Sequence, residues 1–376
     1  MTIQNKEKPF ADVNFVIEQD LHPQVKKIKG SSFDIDCPFC NRKMKLHVQP
    51  PVWRCAACGE SGNGLVLHSK LMHINTKEAY KDLEKIYSNL NDNQKNRIVT
   101  QIQTAKSINE NISHPTSLDN RNVFNNLFLD NLILEDKHKN DLLRRGLSLK
   151  QIEQNGYKSF PMYNTPCENA WKKANLHLEK NEGIPGLFIL RSSVFSKNMF
   201  NGKYGCYLIP CRTIENKISA FQLRYDSLDE HATEKEREHF HRYAWFSSNE
   251  NHGCSFTGCE NIHFAGDWSA IPKTVNLTEG ILKADIASAL SGSCFMGIAG
   301  VNNVSQLSDR LKYLKNHGTE RINICLDMDY REKKEVKKAL DNIINIISNS
   351  HLKPVLIKWD SKYKGIDDYL LSLKNK

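Results

Sequence analysis

Two C-x-x-C pairs, Cys37-Pro-Phe-Cys40 and Cys55-Ala-Ala-Cys58, lie 14 residues apart and constrain the first quarter of this chain more than any other feature. Each pair is a tight knuckle that aims two thiolates at one centre, and two knuckles supply the tetrahedral sulfur set that Zn²⁺ prefers. Four sulfur ligands close such a site to substrate, so structural zinc is expected at Cys37, Cys40, Cys55 and Cys58. Gly59 and Gly62 follow the second pair, where backbone freedom is expected to let the chain turn around the metal. His47, between the pairs, reads as an ordinary surface histidine. Lys43, Lys45, Trp53 and Arg54 mix basic and aromatic groups there. Such a surface stacks bases and holds phosphates, which makes Trp53 and Lys45 nucleic-acid candidates, although a solvated strand face fits equally well. The other seven of the eleven cysteines are scattered singly. His252, Cys254, Cys259 and His263 read as isolated residues, because their spacing does not make two knuckles. An odd cysteine total, with no apolar core of a secretion signal in Met1 to Phe10, points to a reducing, cytoplasmic compartment.

At 376 residues the chain exceeds one compact core. No run approaches the ~18 consecutive apolar residues of a spanning helix, so no membrane segment is expected. The formal charge of +9 suits a polyanionic partner. Three zones separate by composition. Residues 1–87 hold the cysteine pairs and an amphipathic stretch with Ala79, Leu83 and Ile86 at helical spacing. Residues 88–120, rich in Asn, Gln, Ser and Thr, read as a linker. Residues 121–376 form the main body.

The last hundred residues carry the clearest rhythm. Strands are expected over 273–278, 294–299, 321–326 and 354–359, alternating with helices over 281–291, 304–314 and 331–349. Strands alternating with helices imply an α/β body with a parallel sheet and helices on its faces. Functional groups in such sheets gather at the carboxyl ends of strands. Glu279 ends the first strand, Asp327 and Asp329 end the third, and Asp367 and Asp368 follow the fourth. Carboxylates gathered at one edge repel one another unless cations neutralise them, and Mg²⁺ or Mn²⁺ are the natural occupants.

Here the residues carry a family resemblance. TEGILKAD, ICLDMD and KGIDDYLL resemble the Toprim fold shared by DnaG-type primases, topoisomerases and some nucleases. DLLRRGLSLKQIEQNGY (141–157) resembles the start of the primase catalytic core. GCYLIPCRTIENKISAFQLRY (205–225) and RYAWFS (242–247) resemble its small basic α+β subdomain, and CPFC…CAACGESGNGL resembles its small, β-rich zinc-ribbon domain. Gly183-Ile-Pro-Gly186 is similar to the variant in primases of phages and mobile elements.

The resemblance implies a zinc-binding domain over 1–87, a basic subdomain over 121–271 and a Toprim catalytic subdomain over 272–376. It further implies a DNA-directed RNA polymerase that makes short primers from ribonucleoside triphosphates on single-stranded DNA. Glu279, Asp327 and Asp329 would be its catalytic carboxylates and, with Asp367 and Asp368, its Mg²⁺ or Mn²⁺ ligands. Arg145, Arg224 and Arg242 fall where the family places basic residues against template or nucleotide phosphates. Lys283 stands where many bacterial members carry an acidic residue, so it is expected to meet a phosphate, with Asp285 a substitute acid of open role. Cys40 takes the place of the usual histidine ligand. With no G-x-x-x-x-G-K-[ST] motif present, a separately encoded replicative helicase is the expected partner. A non-catalytic zinc/Toprim DNA-binding factor and a Toprim nuclease are the rival readings.

Overall fold

The computed structural model describes residues 16, 27–29, 32–48, 51–96, 114–161, 164–179, 181–190, 193–196, 205–228, 234, 237, 240–248, 253–328 and 334–374. The chain divides into two compact units, Met1–Ile112 and Ser113–Lys376.

The smaller unit is an antiparallel meander of five strands, β1 (Lys27–Lys29), β2 (Ser32–Asp36), β3 (Lys43–Val48), β4 (Pro51–Cys55) and β5 (Ser61–Asn63), paired in chain order. Side chains alternate across a strand, so Met44 and Leu46 turn inward while Lys43 and Lys45 face solvent. The register sets Met44 opposite Cys55 and Leu46 opposite Trp53, and these four share one core with Ile35 and Leu67. Helix α1 (Gly64–Leu71) is capped by the Asn63 side chain. Helix α2 (Thr76–Ser88) starts at a capping box between Asn75 and Glu78 and buries Ala79 and Leu83, two of the three residues whose spacing marked the stretch as helical.

In the larger unit, β6 (His114–Pro115) is followed by helices α3 (Leu118–Asp130), α4 (Asp136–Arg144) and α5 (Leu149–Asn155), strand β7 (Lys158–Ser159) and helix α6 (Thr165–Ala174). Strands β8 (Glu182–Gly183), β9 (Leu187–Leu190), β10 (Ser193–Ser196), β11 (Cys206–Arg212), β12 (Ile218–Tyr225) and β13 (Tyr243–Trp245) come next. The order β13-β12-β11-β7 makes a four-stranded antiparallel sheet. Its strand β11 is buried on both sides. Cys206 and Leu208 join Phe124 and Phe128 of α3, whereas Tyr207, Ile209 and Cys211 point the other way.

The second sheet contains β14 (Ile262–Ala265), β15 (Thr274–Glu279), β16 (Phe295–Ile298), β17 (Arg321–Cys325) and β18 (Lys353–Leu356), in the order β14-β16-β15-β17-β18. Helices α7 (Ile281–Ser291), α8 (Leu307–Asn316), α9 (Lys334–Asn349) and α10 (Ile366–Lys374) complete it. The four strands read from the sequence are parallel; β14 adds an antiparallel edge. Alternate strand residues build two cores. Leu277, Met296 and Ile324 meet α8 and α9 on one face, while Phe295 and Cys325 meet Ala284 of α7 and Ile366 of α10 on the other. Right-handed crossovers require this: the step from β15 to β16 runs one way along the sheet and the step from β16 to β17 runs back, so their helices fall on opposite faces. Ile281, Leu282 and Ile286 of α7 also pack on Tyr207, Ile209 and Cys211, locking the two sheets together. Among the described residues no helix is long and apolar enough to cross a membrane.

Candidate functional site

The four cysteines of the smaller unit bring their Sγ atoms within 4.8 Å of one another, the only such His/Cys/Asp/Glu group among the described residues. Cys37 and Cys58 lie 3.7 Å apart and Cys40 and Cys55 3.5 Å. Four sulfurs each about 2.3 Å from a central zinc stand roughly 3.8 Å apart, so the cage has the size that ion requires. The two knuckles are built alike. The Cys37 carbonyl accepts from Asn41 N–H, and the Cys55 carbonyl from Gly59 N–H, at 2.8 and 3.0 Å. Both Asn41 and Gly59 adopt the left-handed backbone this closure needs. Gly62 does not; its missing side chain instead admits Val66 and Trp53, so its expected turning role is replaced by a packing one.

Trp53 is corrected as a base-stacking candidate. It is 1% exposed, its indole N–H donates to the Asn63 carbonyl at 3.0 Å, and its ring packs near Phe39. Trp53 shares the inward face of β4 with Cys55, two residues on, because strand side chains repeat every second residue. Lys45 stays on the outward face, opposite Arg54.

In the larger unit the strand order reverses between β15 and β17, and open α/β sheets form their crevice outside the carboxyl ends at such a point. Glu279 is the last residue of β15, and Asp327 follows β17 by two. The Met328 N–H donates to the Lys364 carbonyl at 3.0 Å, drawing the loop before α10 onto this rim. Glu279, Asp327, Asp367 and Asp368 thereby line one cavity of about 640 Å³ with Lys283, Lys364 and Arg145. Asp329 lies outside the described residues. Gly280, between Glu279 and α7, has a φ of 98°, which only glycine adopts without strain.

The charges there are interlocked. Lys283 Nζ is hydrogen-bonded to Asp327 Oδ1, and Lys364 Nζ lies 3.8 Å from Asp327 Oδ2. Burial pulls the Lys283 ammonium down, yet Asp327, Asp367 and Glu279 together hold it above its ordinary value. Asp367 is 7% exposed, and its Oδ1 is buried with no hydrogen-bond partner among the described residues. Burial pushes the Asp367 carboxyl up; Lys283 opposes this and Asp368 adds to it. Carboxylate oxygens are the donors hard divalent cations take, but among the described residues no three of these acids bring their oxygens within 4.8 Å of one another.

Arg145 lines this cavity and also a second one of about 560 Å³, bounded by Lys137, Arg144, Arg224 and Arg242. Its guanidinium bonds Asp141 at 3.1 Å. Arg224 is 7% exposed, pairs with the same Asp141 at 2.9 Å and lies over the Tyr207 ring. Its charge is thus largely committed inside the protein. Arg242 bonds the Tyr225 carbonyl and Ser227 Oγ at the cavity edge.

With that geometry in view, comparison with solved structures finds the Aquifex aeolicus primase (zinc-binding and RNA polymerase domains), at 16% identity and a TM-score of 0.50, over 97% of this chain and 82% of that one. The fold is primase-like. The RNA polymerase domain of Mycobacterium tuberculosis DnaG with double-stranded DNA is similar at 12% identity and a TM-score of 0.44, over 64% and 74% of the two chains. The E. coli primase catalytic core is similar at 13% and 0.40, over 62% and 68%. The fold likeness rests on the first of these alone. Residues 268–376 match the family model described as domain of unknown function DUF3854. No curated protein sequence matches the chain.

Asp285 is not at the rim. It accepts from the Tyr157 hydroxyl and, at 2.8 Å, from His263 Nε2, while the Arg212 backbone N–H donates to His263 Nδ1. Two residues past Lys283, it lies about 200° further round α7 and faces the sheet of β11 instead. Cys254 and Cys259 are buried, His263 is used by Asp285, and His252 lies outside the described residues. Sequence reasoning missed Lys364, although the run Lys362-Tyr-Lys-Gly just before Asp367 signals a basic lip. It also missed Tyr243, whose hydroxyl accepts from Arg224 Nε at 3.2 Å and which lines the carboxylate cavity.

Proposed function

We propose that this chain is a primase, synthesising short RNA primers from ribonucleoside triphosphates on single-stranded DNA. The observation that carries the reading is the meeting of Glu279, Asp327 and Asp367 at the strand-order reversal, beside a basic cavity joined to it through Arg145. In this reading Glu279, Asp327 and Asp367, with Asp329 and Asp368, hold a Mg²⁺ or Mn²⁺ ion. When bound, that ion eases deprotonation of the attacking 3′-hydroxyl and stabilises charge on the leaving pyrophosphate. Arg145 orients the triphosphate between the two cavities. Arg242 and Arg144 take backbone phosphates of the template, and Arg224, fixed on Asp141, positions Arg145. The cysteine cage holds structural Zn²⁺, and Lys45 with Arg54 gives the smaller unit a basic face toward DNA.

The pairing of Lys283 with Asp327 favours one second reading, a non-catalytic DNA-binding factor whose rim charge is satisfied internally. The test is incubation with single-stranded DNA, labelled ribonucleotides and Mg²⁺ or Mn²⁺. Short RNA products, falling by about 10²-fold or more in Asp327→Ala, support the primase. DNA binding with no product supports the second reading, and shortened DNA marks a nuclease.

A further inference from the structure

Strand β12 carries an amide where its cross-strand neighbours are apolar. Residues paired across an antiparallel sheet put their side chains on one face, so the register aligns Ile209, Gln222 and Trp245 in one row and Tyr207, Arg224 and Tyr243 in the next. This is the face that meets α7. It also walls the carboxylate cavity, where Gln222, Tyr243 and Trp245 stand with Glu279, Lys283 and Arg145.

The second row is committed within the protein: Arg224 pairs with Asp141 and donates to the Tyr243 hydroxyl. The first row is not. Gln222 is 7% exposed, and its amide has no hydrogen-bond partner among the described residues. The indole N–H of Trp245, opposite it, has none there either, whereas Trp53, Trp268 and Trp359 each donate to a carbonyl. The Trp245 ring is braced by a stack on Phe256, with centroids 4.8 Å apart and planes at 13°. An amide left unpaired in a nearly buried row destabilises the fold, so packing gives no reason for it.

The ammonium and guanidinium groups of this cavity suit phosphates. An amide oxygen opposite an indole N–H suits a group that both donates and accepts. A ribose 2′-hydroxyl does both, and it is what separates ribonucleotides from deoxyribonucleotides. The 3′-hydroxyl must stay free for the next transfer, and in template-directed synthesis the base edges are read by the template. We propose that Gln222 is the sugar-selecting residue of this cavity: the 2′-hydroxyl of a bound ribonucleotide donates to its amide oxygen and accepts from the Trp245 indole N–H. The proposal rests on reading the rim as the nucleotide site and adds to it the choice of sugar.

A site built for a hydroxyl rejects the analogue that lacks it, because the site's own polar groups are then left unpaired. The test is calorimetric titration of the full, zinc-loaded chain with ATP, 2′-deoxy-ATP and 3′-deoxy-ATP in Mg²⁺. ATP and 3′-deoxy-ATP should bind alike, and 2′-deoxy-ATP about tenfold more weakly or worse. In Gln222→Leu, which keeps the bulk without the amide, all three should bind alike. Trp245→Phe, which keeps a ring without the N–H, should narrow the gap, and it serves if the leucine variant fails to fold. Equal binding of ATP and 2′-deoxy-ATP by the unaltered chain would overturn the proposal, as would binding of neither. So would a preference set by the 3′-hydroxyl, or one that survives intact in a folded Gln222→Leu or in Trp245→Phe. A chain that prefers ATP through Gln222 and makes no primer keeps this inference and loses the polymerase; a chain that primes equally well from ribonucleotides and deoxyribonucleotides does the reverse.

Discussion

Replacing Asp285 by alanine should cripple stability while sparing the carboxylate rim. The carboxylate is 6% exposed and accepts from two donors that are themselves buried, the Tyr157 hydroxyl and His263 Nε2–H. The His263 tautomer is fixed, because the Arg212 backbone N–H points at Nδ1 and leaves Nε2 to carry the proton. Alanine strands both donors, whose residues are only 1% and 2% exposed. Each stranded buried donor costs about 1–3 kcal/mol, so the pair should cost about 4 kcal/mol. For a unit of this size that is a fall in melting temperature of roughly 8–16 °C. Tryptophan fluorescence suits the measurement, because Trp171, Trp245, Trp268 and Trp359 all lie in the larger unit and only Trp53 lies outside it. Adding Tyr157→Phe to Asp285→Ala removes one stranded hydroxyl and should recover about 1–3 kcal/mol, whereas Tyr157→Phe alone should destabilise. Mn²⁺ binding should persist in Asp285→Ala below its melting temperature. An Asp285→Ala chain that melts like the unaltered protein and loses Mn²⁺ would refute the reasoning and make Asp285 a ligand.

Two other outcomes follow from the same structure. Mercurial titration of the thiols should release one equivalent of zinc per chain, measured with a chromogenic chelator, and Cys55→Ser should purify without it; the smaller unit should then lose its protease resistance while the larger unit's melting is unchanged. Burial pushes the Asp141 carboxyl up, but Arg145 and Arg224 overcome this and hold it below its ordinary 3.8. A depressed carboxyl stabilises the fold above its unfolded pKa and loses that contribution as pH falls through the folded one. Asp141→Asn should therefore melt lower than the unaltered chain at pH 7, and the difference should shrink below about pH 4. A gap that persists at pH 2 to 3 would show that Asp141 acts through packing alone.

Much of the rim was readable because it is a matter of strand ends. The apolar runs 273–278 and 321–326 locate β15 and β17, and Glu279 and Asp327 fall where each run stops. What hid β14 is its makeup: Ile-His-Phe-Ala is broken by a histidine and flanked by Glu260-Asn261 and Gly266-Asp267, and its place in the sheet comes from pairing with β16. Trp53 was misplaced although its phase was available. It sits two residues from Cys55, so a strand that turns the thiol inward turns the indole inward too. For Lys283 and Asp285 the helical period says only that they face different ways. Which of them meets the carboxylates depends on which side of α7 lies on the antiparallel sheet.

By itself, then, the sequence determined the local devices: two thiol knuckles, an alternation of strand and helix, and acids at the ends of particular strands. These depend on neighbours within a turn or a strand, whose energetics are written in spacing. Only the tertiary structure decided that the order reverses between β15 and β17, that Lys364 and Lys283 close on Asp327, and that Asp285 is spent on Tyr157 and His263. Those are contacts between segments up to 128 residues apart, and their partners are selected by burial and charge in three dimensions, which no spacing along the chain encodes.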